Sequence, residues 1–294
     1  MTTVLVSGAT GLVGQFIVEY LLRSGRHVVC MGRRAPPVDF FSKPVGRVSG
    51  NLEPTNDWAG TFHDVDQFVH CAFHHVPGKY RGGEGDDPHE FRRLNVDGSL
   101  ALFAAAKNAG VKRAVFLSSR AVYDGVPPGA RLTEDMPVAP TSLYGQVKHD
   151  VEVGLASLIN DNFEAASVRA TGIYGPPRPG QRHKWNDLFD AFERGEAISP
   201  RVATEVHGED LAAAIALLLS VDSSKLHAFG KAPVFNTSDI VLDRRALLQA
   251  YGERSAIRSP LPPIGDQSSL GQMDCTRLKG LGWQPRGKLD LAGF

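Results

Sequence analysis

The sequence predicts an α/β protein with a doubly wound parallel sheet and a smaller C-terminal lobe. Short apolar runs alternate with helical patterns over residues 1–172, which is typical of repeated βαβ units. A glycine-rich turn follows the first apolar run. After Gly175 the chain changes character, with the segment PPRPGQRHK and shorter elements beyond it. We therefore expect a sheet domain over residues 1–172 and a substrate-binding lobe mainly over residues 173–294.

The strand candidates are short and mostly apolar. Such runs suit a parallel sheet that is covered by helices on both faces. They are Val4–Ser7, His27–Met31, Arg47–Leu52, Gln67–Ala72, Ala114–Ser118 and Ala165–Arg169.

Helices are predicted between these strands. Apolar residues recur at helical spacing after the first strand, and Gly25 ends that run. A helix over residues 208–221 is expected to pack back onto the sheet domain. The other predicted helices are Pro88–Ala109, which has proline in its first turn and a glycine after its end, and Tyr144–Ile159.

The composition excludes several classes of partner and setting. The 32 basic and 32 acidic residues balance, so we expect binding neither to nucleic acid nor to a membrane. Cys30, Cys71 and Cys275 lie far apart, which argues against disulfides and against a zinc site. We expect a protein of the reducing cytoplasm that has no leader or membrane anchor.

The turn SGATGLVGQF has glycines at positions 8, 11 and 14, between a strand and a helix. Glycine allows a tight turn and a close approach to a pyrophosphate, and the following helix offers free N–H groups. The same spacing also occurs in turns that bind nothing. We expect a dinucleotide site here, formed by Gly8, Thr10, Gly11, Leu12 and Val13.

This spacing resembles the TGxxGxxG motif of the extended short-chain dehydrogenase/reductases, the NAD-dependent epimerase/dehydratase family. Further segments resemble family landmarks in the same order: NVDGSLALFAAAKNAGVKRAVFLSS, SSRAVYD, PTSLYGQVK, SVRATGIYGP, VHGEDLAAAI, VFNTSD and LGWQP. The resemblance covers nearly the whole chain and implies a Rossmann-type sheet. It also implies that Asn51 and Leu52, and Cys71 and Ala72 after the fourth strand, bind the cofactor.

The choice between NAD and NADP depends on the end of the second strand. NAD-binding proteins of this fold usually have an acidic residue there, whereas arginine accommodates a 2′-phosphate. Here Gly32 takes the acidic position, and Arg33 and Arg34 follow. Two guanidinium groups favour a phosphate, so we expect NADP in preference to NAD. The alternative is that both arginines are simply solvated.

Tyr144 and Lys148 form a YxxxK motif, which places both side chains on one face of a helix. A tyrosine with a pKa of about 10 needs nearby positive charge to act as a base at neutral pH. Ser119, at the end of a strand, has the offset that resembles the family's third catalytic residue. We expect Ser119 to hold the substrate oxygen, Tyr144 to exchange its proton and Lys148 to assist while binding cofactor.

Two departures from the family pattern restrict the chemistry. Family dehydratases have an Asp-Glu pair after the catalytic hydroxyl, where this chain has Arg120 and Ala121, so that route of dehydration is not expected. The arginine by which related epimerases bind a diphosphate is replaced by Ala203. The arginines that could compensate are Arg178, Arg182 and Arg201.

Substrate contacts are harder to assign from the sequence. We expect them from a loop at residues 76–88 and from basic side chains, namely Lys79, Arg81, Arg120 and Arg178. Equally, this loop could be a solvated surface loop that contacts no substrate. His70, His74 and His75 cluster without acidic or cysteine partners at a ligand spacing, so no metal site is expected.

Three functions remain open at this stage. The first is an NAD(P)-dependent epimerase or dehydrogenase/reductase that acts on a sugar or sugar nucleotide. The second is an NADPH-dependent reductase of a smaller carbonyl compound, and the third is a non-catalytic NADP sensor. The family resemblance also implies a homodimer, formed by the helices after Pro88 and after Tyr144.

Overall fold

The computed structural model describes residues 2–58, 60–76, 83–178 and 182–292. Its centre is a parallel sheet of seven strands in the order β10-β7-β5-β4-β1-β2-β3. The strands are β1 Thr3–Ser7, β2 His27–Gly32, β3 Gly46–Ser49, β4 Gln67–His70, β5 Arg113–Ser119, β6 Arg131–Leu132, β7 Glu164–Ala170, β8 Gly172–Tyr174, β9 Val202–His207, β10 Val234–Thr237, β11 Ile240–Asp243 and β12 Gln272–Met273.

Helices cover both faces of this sheet. Apolar side chains of α1 and α6 form one core with the strands, and those of α3 and α4 form the other. Within the described ranges, no helix is long and apolar enough to cross a membrane. The helices are α1 Gly14–Arg23, α2 Pro88–Arg92, α3 Gly98–Asn108, α4 Leu143–Leu158, α5 Asn186–Glu193, α6 Gly208–Ser220, α7 Ser223–His227, α8 Arg244–Ser255 and α9 Thr276–Gly280.

The strand order reverses between β1 and β4, which are neighbours in the sheet. Ligands of open α/β sheets bind outside the carboxyl ends of the strands at such a reversal. The glycine turn after β1 and the residues after β4 lie on its two sides. The predicted fold class, a Rossmann-type doubly wound sheet, is confirmed.

Two predicted strands are longer than those in the structure. β3 ends at Ser49 and β4 at His70, whereas the predictions extended both by two or three residues. Beyond each strand the backbone turns, and the N–H of Gly50 bonds to the carbonyl of Gly32. The residues after both strands therefore lie in loops at the carboxyl edge of the sheet.

The predicted helix from Pro88 to Ala109 is interrupted. Between α2 and α3, residues 93–97 form a π-helical turn. Its central residue, Asn95, is buried and donates to the carbonyls of Phe91 and His74. At Gly98 an added Cβ would overlap the carbonyl of Leu52. The altered turn lets the helix pass this loop closely, which regular spacing in the sequence does not reveal.

The C-terminal part of the chain contributes to both units. β10 adds a seventh strand beside β7, and α6 packs against α1. β8, β9 and β11 form a separate small sheet in the order β11-β9-β8, with α5 and α8 in the same lobe, whereas β12 pairs with β6. An apolar cluster fills this lobe: Tyr174, Trp185, Phe189, Phe192, Leu242, Leu247 and Leu248.

Candidate active site

The turn after β1 brings backbone close to backbone. Gly8 has φ +70, and an added Cβ there would lie 2.7 Å from the Ala72 nitrogen. At Gly14 a Cβ would overlap the carbonyl of Gly8 and lie 2.7 Å from the Ala9 Cα. No side chain fits at either position, so glycine is required for the turn to pack against Ala72 and against the start of α1.

The predicted cofactor residues of this turn occupy the edge where the strand order reverses. Leu12 and Val13 line a cavity of about 710 Å³, and Cys71 lies on the opposite side of the reversal in the same wall. Burial raises the pKa of the Cys71 thiol to about 12, so the thiol stays protonated and serves as wall. Thr10, Gly11 and Ala72 complete the turn and the strand end beside it.

The three predicted catalytic residues lie in the wall of this one cavity. Ser119 ends β5, and Tyr144 and Lys148 come from the first two turns of α4. The hydroxyl of Ser142 caps α4 by accepting a hydrogen bond from the N–H of Gly145 at 3.1 Å. This cap fixes the start of the helix and so places Tyr144 in its first turn.

Lys148 is almost completely buried, at 4% exposure. Its Nζ donates to the carbonyl of Leu117 at 2.8 Å and lies 4.5 Å from the ring centre of Phe73 and 6.0 Å from that of Tyr144. Burial lowers the pKa of Lys148 to about 7, and the carboxylate of Glu152 acts in the opposite direction. An ammonium with so little water around it is strongly attracted to any negative charge that forms on Tyr144.

Ser119 and Ser118 have different environments. The Oγ of Ser119 accepts from the N–H of Ala121 at 3.1 Å, which leaves its hydroxyl proton available to donate. The hydroxyl of Ser118 donates to Glu152. This supports Ser119 as the residue that holds a substrate oxygen.

A buried ion pair lies behind the catalytic residues. Arg169 on β7 binds Glu152 with both ends of its guanidinium, at 3.0 Å from Nε and 2.6 Å from Nη2, and both side chains are 6% exposed. Its Nη1 donates to the hydroxyl of Tyr123 at 2.7 Å. Since Tyr144, Lys148 and Glu152 follow one another at four-residue spacing, this pair fixes the face of α4 that carries the catalytic groups.

Other predicted cofactor residues lie outside the cavity wall. Arg33 and Arg34 are exposed just beyond β2. The side chain of Asn51 accepts from the N–H of Glu53 at 2.9 Å and from the amide of Asn56 at 2.6 Å, which closes a local turn. Leu52 is buried in the core beneath α3.

The predicted substrate residues are divided. Lys79 and Arg81 lie outside the described residues. Arg120 lines the cavity and donates to the carbonyl of Gly271 at 3.0 Å. Arg178 does not line it, because its guanidinium pairs with Glu19 on α1.

Of the two other arginines that could replace the family's diphosphate-binding arginine, only one lies in the cavity wall. Arg201 lines the cavity. Arg182 is bound instead to Asp187 and Asp190 at 3.1 and 2.7 Å. Ala203, in place of the family's arginine, is part of the wall.

Several residues of the cavity wall are missing from the sequence-based assignment. Phe73 packs edge-on against Tyr144, with ring centres 5.1 Å apart. Lys184 and Glu205 form an ion pair in the wall, and Trp185 and Arg244 lie nearby. Phe73 lies three residues beyond β4, in the loop at the carboxyl edge of the sheet, and could have been found from that position. The other four belong to no motif.

The histidine cluster is dispersed by the fold. His70 is fully buried between two hydroxyls, with Nδ1 2.7 Å from Ser7 Oγ and Nε2 2.8 Å from Ser99 Oγ. Burial lowers its pKa to about 3. Across the described part of the chain, no three side chains of His, Cys, Asp or Glu lie together as metal ligands.

A glycine turn at the strand reversal, with a Ser-Tyr-Lys set in the adjoining cavity, defines the class of NAD(P)-binding oxidoreductase-type proteins. The model of the NAD-dependent epimerase/dehydratase family matches residues 4–229. The chain belongs to this family, whose members include NAD-dependent enzymes of the extended short-chain dehydrogenase/reductase type.

Two kinds of curated relative are similar in sequence. Methionine adenosyltransferase 2 subunit beta from Pongo abelii is 33% identical over 195 residues, which are 65% of this chain and 52% of that protein. UDP-glucose 4-epimerase from Mycolicibacterium smegmatis is 29% identical over 186 residues, 58% of this chain and 56% of that protein. The chain thus spans about half the length of the curated relatives it matches.

Solved structures match over nearly the whole chain. MoeE5 in complex with UDP-glucose and NAD has a TM-score of 0.77 and 25% identity, over 98% of this chain and 94% of that one. UDP-glucose 4-epimerase from Thermotoga maritima with UDP-glucose has a TM-score of 0.79 and 21% identity, over 97% and 94%. The second likeness concerns the fold alone.

Proposed function

We propose that this protein is an NAD(P)-dependent epimerase or dehydrogenase/reductase that acts on a sugar nucleotide by hydride transfer. The observation that carries the proposal is that Ser119, Tyr144 and Lys148 line one cavity at the reversal of strand order, beside the glycine turn. The UDP-glucose and NAD bound by MoeE5, a structural relative at 25% identity, support this choice of substrate class.

The residues of the chain divide the chemistry among themselves. Ser119 donates a hydrogen bond to the reacting substrate oxygen and so positions it beside the Tyr144 hydroxyl. As an alcohol is oxidised, Tyr144 accepts its proton, and as a carbonyl is reduced, Tyr144 returns it. Lys148, desolvated beside the tyrosine, stabilises the phenolate. Phe73 excludes water from one side of both residues.

The cofactor site proposed here fits a nicotinamide dinucleotide. Gly8 and Gly14 allow the turn to pack directly against neighbouring backbone, and the start of α1 would supply N–H groups for a pyrophosphate. Leu12, Val13 and Cys71 would contact the nicotinamide half, because they lie in the wall beside Lys148. When bound, the nicotinamide accepts or delivers the hydride.

We propose NADP as the preferred form, although the cofactor named with MoeE5 is NAD. Position 32, where NAD-binding proteins of this fold have a carboxylate, is a glycine, and Arg33 and Arg34 are exposed just beyond β2. Dissociation constants for NADP and NAD test it. The variant Arg33→Ala/Arg34→Ala should lose at least tenfold in NADP affinity and little in NAD affinity. Tighter NAD binding by the unmodified protein would contradict the preference.

A second candidate is a non-catalytic subunit of a larger assembly. It is favoured by the relatives named as a subunit of methionine adenosyltransferase. Retention of Ser119, Tyr144 and Lys148 in one cavity argues for catalysis. A cofactor-loaded protein that turns over no sugar nucleotide, free sugar or ketone would favour the subunit.

The experiment is a ligand panel read by thermal stability. The protein is saturated with NAD(H) or NADP(H), and UDP-, GDP- and dTDP-sugars, free sugars and small ketones are added singly. A ligand at a hundred times its dissociation constant adds about 2.7 kcal/mol, a readable shift. We expect stabilisation by one nucleotide-sugar group, followed by turnover of its members. A response only to small ketones would replace the proposal with the small-carbonyl reductase.

We also propose a homodimer in which α3 and α4 pack against a second copy. These helices lie side by side on one face of the sheet, and Val153 on α4 is 56% exposed. Light scattering of the unmodified protein and of Val153→Glu tests this proposal. We expect a dimer that the charged variant weakens, whereas a monomer at all concentrations would overturn it.

A further inference from the structure

The substrate side of the cavity contains an ion pair that the catalytic proposal does not use. Lys184 precedes α5, and its Nζ binds a carboxylate oxygen of Glu205 on β9. Both residues lie in the same wall as Ser119 and Tyr144. The pair therefore faces the space in which the reacting part of the substrate must lie.

A glycine in the neighbouring strand makes room for this pair. Gly172 on β8 is directly opposite Glu205 in the register of the small sheet. A Cβ at position 172 would overlap the Glu205 carboxylate and lie 2.5 Å from Lys184 Nζ. Any larger residue at 172 would displace the pair. The position of Lys184 and Glu205 in the wall therefore depends on glycine at 172.

The pair is desolvated but only partly satisfied. The side chain of Glu205 is 7% exposed and that of Lys184 is 25% exposed. Burial lowers the pKa of Lys184, and the charge of Glu205 opposes this effect. A buried ion pair contributes little to stability on balance, and an ammonium has three protons to donate. The pair is better suited to binding a ligand than to holding the lobe together.

The chemistry of the pair selects among ligands. A carboxylate accepts from a hydroxyl, and an ammonium donates to a second hydroxyl beside the first. A sugar ring offers both groups on adjacent carbons. A simple ketone has no proton to donate to Glu205.

We propose that Lys184 and Glu205 recognise the sugar ring of the substrate by binding two neighbouring hydroxyls. This inference rests on the proposed function, because it assumes that the cavity receives a sugar. It goes further in naming the residues that select the sugar, which no family motif contains. Gly172 is required because it leaves the pair its space.

The test compares UDP with UDP-glucose as probes on the cofactor-loaded protein. Calorimetric dissociation constants give the affinity that the sugar adds to UDP. We expect Glu205→Gln, Lys184→Met and Gly172→Ala each to reduce this added affinity at least tenfold and to leave UDP binding unchanged. The control is Asp187→Asn, whose carboxylate is 95% exposed at the cavity rim and which should behave like the unmodified protein.

The outcomes separate this inference from the proposed function. If the variants keep the full contribution of the sugar, the pair is not a recognition site, and the proposed function stands. If the unmodified protein binds neither UDP nor UDP-glucose, the proposed substrate class fails. Binding of free glucose and galactose is then measured by ligand-observed NMR. Binding that is lost in Glu205→Gln supports the inference. Binding that persists in this variant, or no binding to the unmodified protein, overturns it.

Discussion

The cavity has two sides that are built differently: one that we propose for the cofactor (the cofactor side) and one that we propose for the substrate (the substrate side). The cofactor side is mostly backbone: the turn after β1, the start of α1 and the end of β4, packed so closely that Gly8 and Gly14 accept no side chain. The substrate side consists of side chains from the small lobe, with the Lys184–Glu205 pair and Trp185 in its wall. Backbone cradles require particular residues at fixed spacing, whereas a wall of side chains can be assembled from many sequences.

The largest effect is expected at the buried Arg169–Glu152 pair, which lies behind the cavity and belongs to neither side. Arg169→Met leaves Glu152 buried without its partner, which should cost about 3–5 kcal/mol of unfolding free energy. Urea denaturation measures it. The control, Arg182→Met, breaks an exposed ion pair and should cost less than about 1 kcal/mol. Equal losses in the two variants would show that the buried Arg169–Glu152 pair matters no more for stability than an exposed pair does.

A smaller effect should be confined to the cofactor side. In Gly14→Ala the new methyl group overlaps the carbonyl of Gly8, and two backbone segments must separate. We expect cofactor affinity to fall at least tenfold, about 1.4 kcal/mol. The matched control is Gly280→Ala, where nothing lies within 4 Å of the added atom. If the cofactor affinity of Gly14→Ala stays within twofold of that of the unmodified protein, the close backbone packing at Gly14 is not needed for cofactor binding.

The smallest effect concerns the burial of Lys148. Its pKa is lowered to about 7, so the cost of burying its charge is present in full below pH 7. This cost disappears as the pH rises toward the pKa of about 10.5 in the unfolded chain. Lys148→Met should therefore be more stable than the unmodified protein by about 1–2 kcal/mol at pH 6, after the lost bond to Leu117 is allowed for.

That advantage should vanish before pH 10. Urea denaturation of both proteins across this range measures the difference. A difference that does not change with pH would mean that Lys148 is not desolvated in the folded protein.

The sheet was predicted well from the sequence, because it depends on local patterns, and the proposed cofactor side rests on patterns of the same kind. β1 and α1 follow from an apolar run, three glycines and helical spacing, all within residues 3–23. The π-helical turn at residues 93–97 could not be predicted, since no local pattern marks it and the adjoining Gly98 packs against the distant Leu52 loop.

The wall that we propose as the substrate side contains residues that no local pattern in the sequence indicates. Glu205 enters the wall because β9 pairs with β8 so that Gly172 lies opposite it. Arg178, which looked suited to substrate, pairs instead with Glu19 on α1. Each outcome is decided by contacts between residues far apart in the chain, which no spacing in the sequence records.

The central claim is that Tyr144 exchanges a proton with the substrate in this cavity, and Tyr144→Phe tests it most directly. The ring that packs on Phe73 is retained, and only the hydroxyl is lost. Turnover of the nucleotide sugar found to bind should fall by about 10²–10⁴-fold, while the dissociation constant of the cofactor stays within twofold. Turnover equal to that of the unmodified protein would contradict the claim.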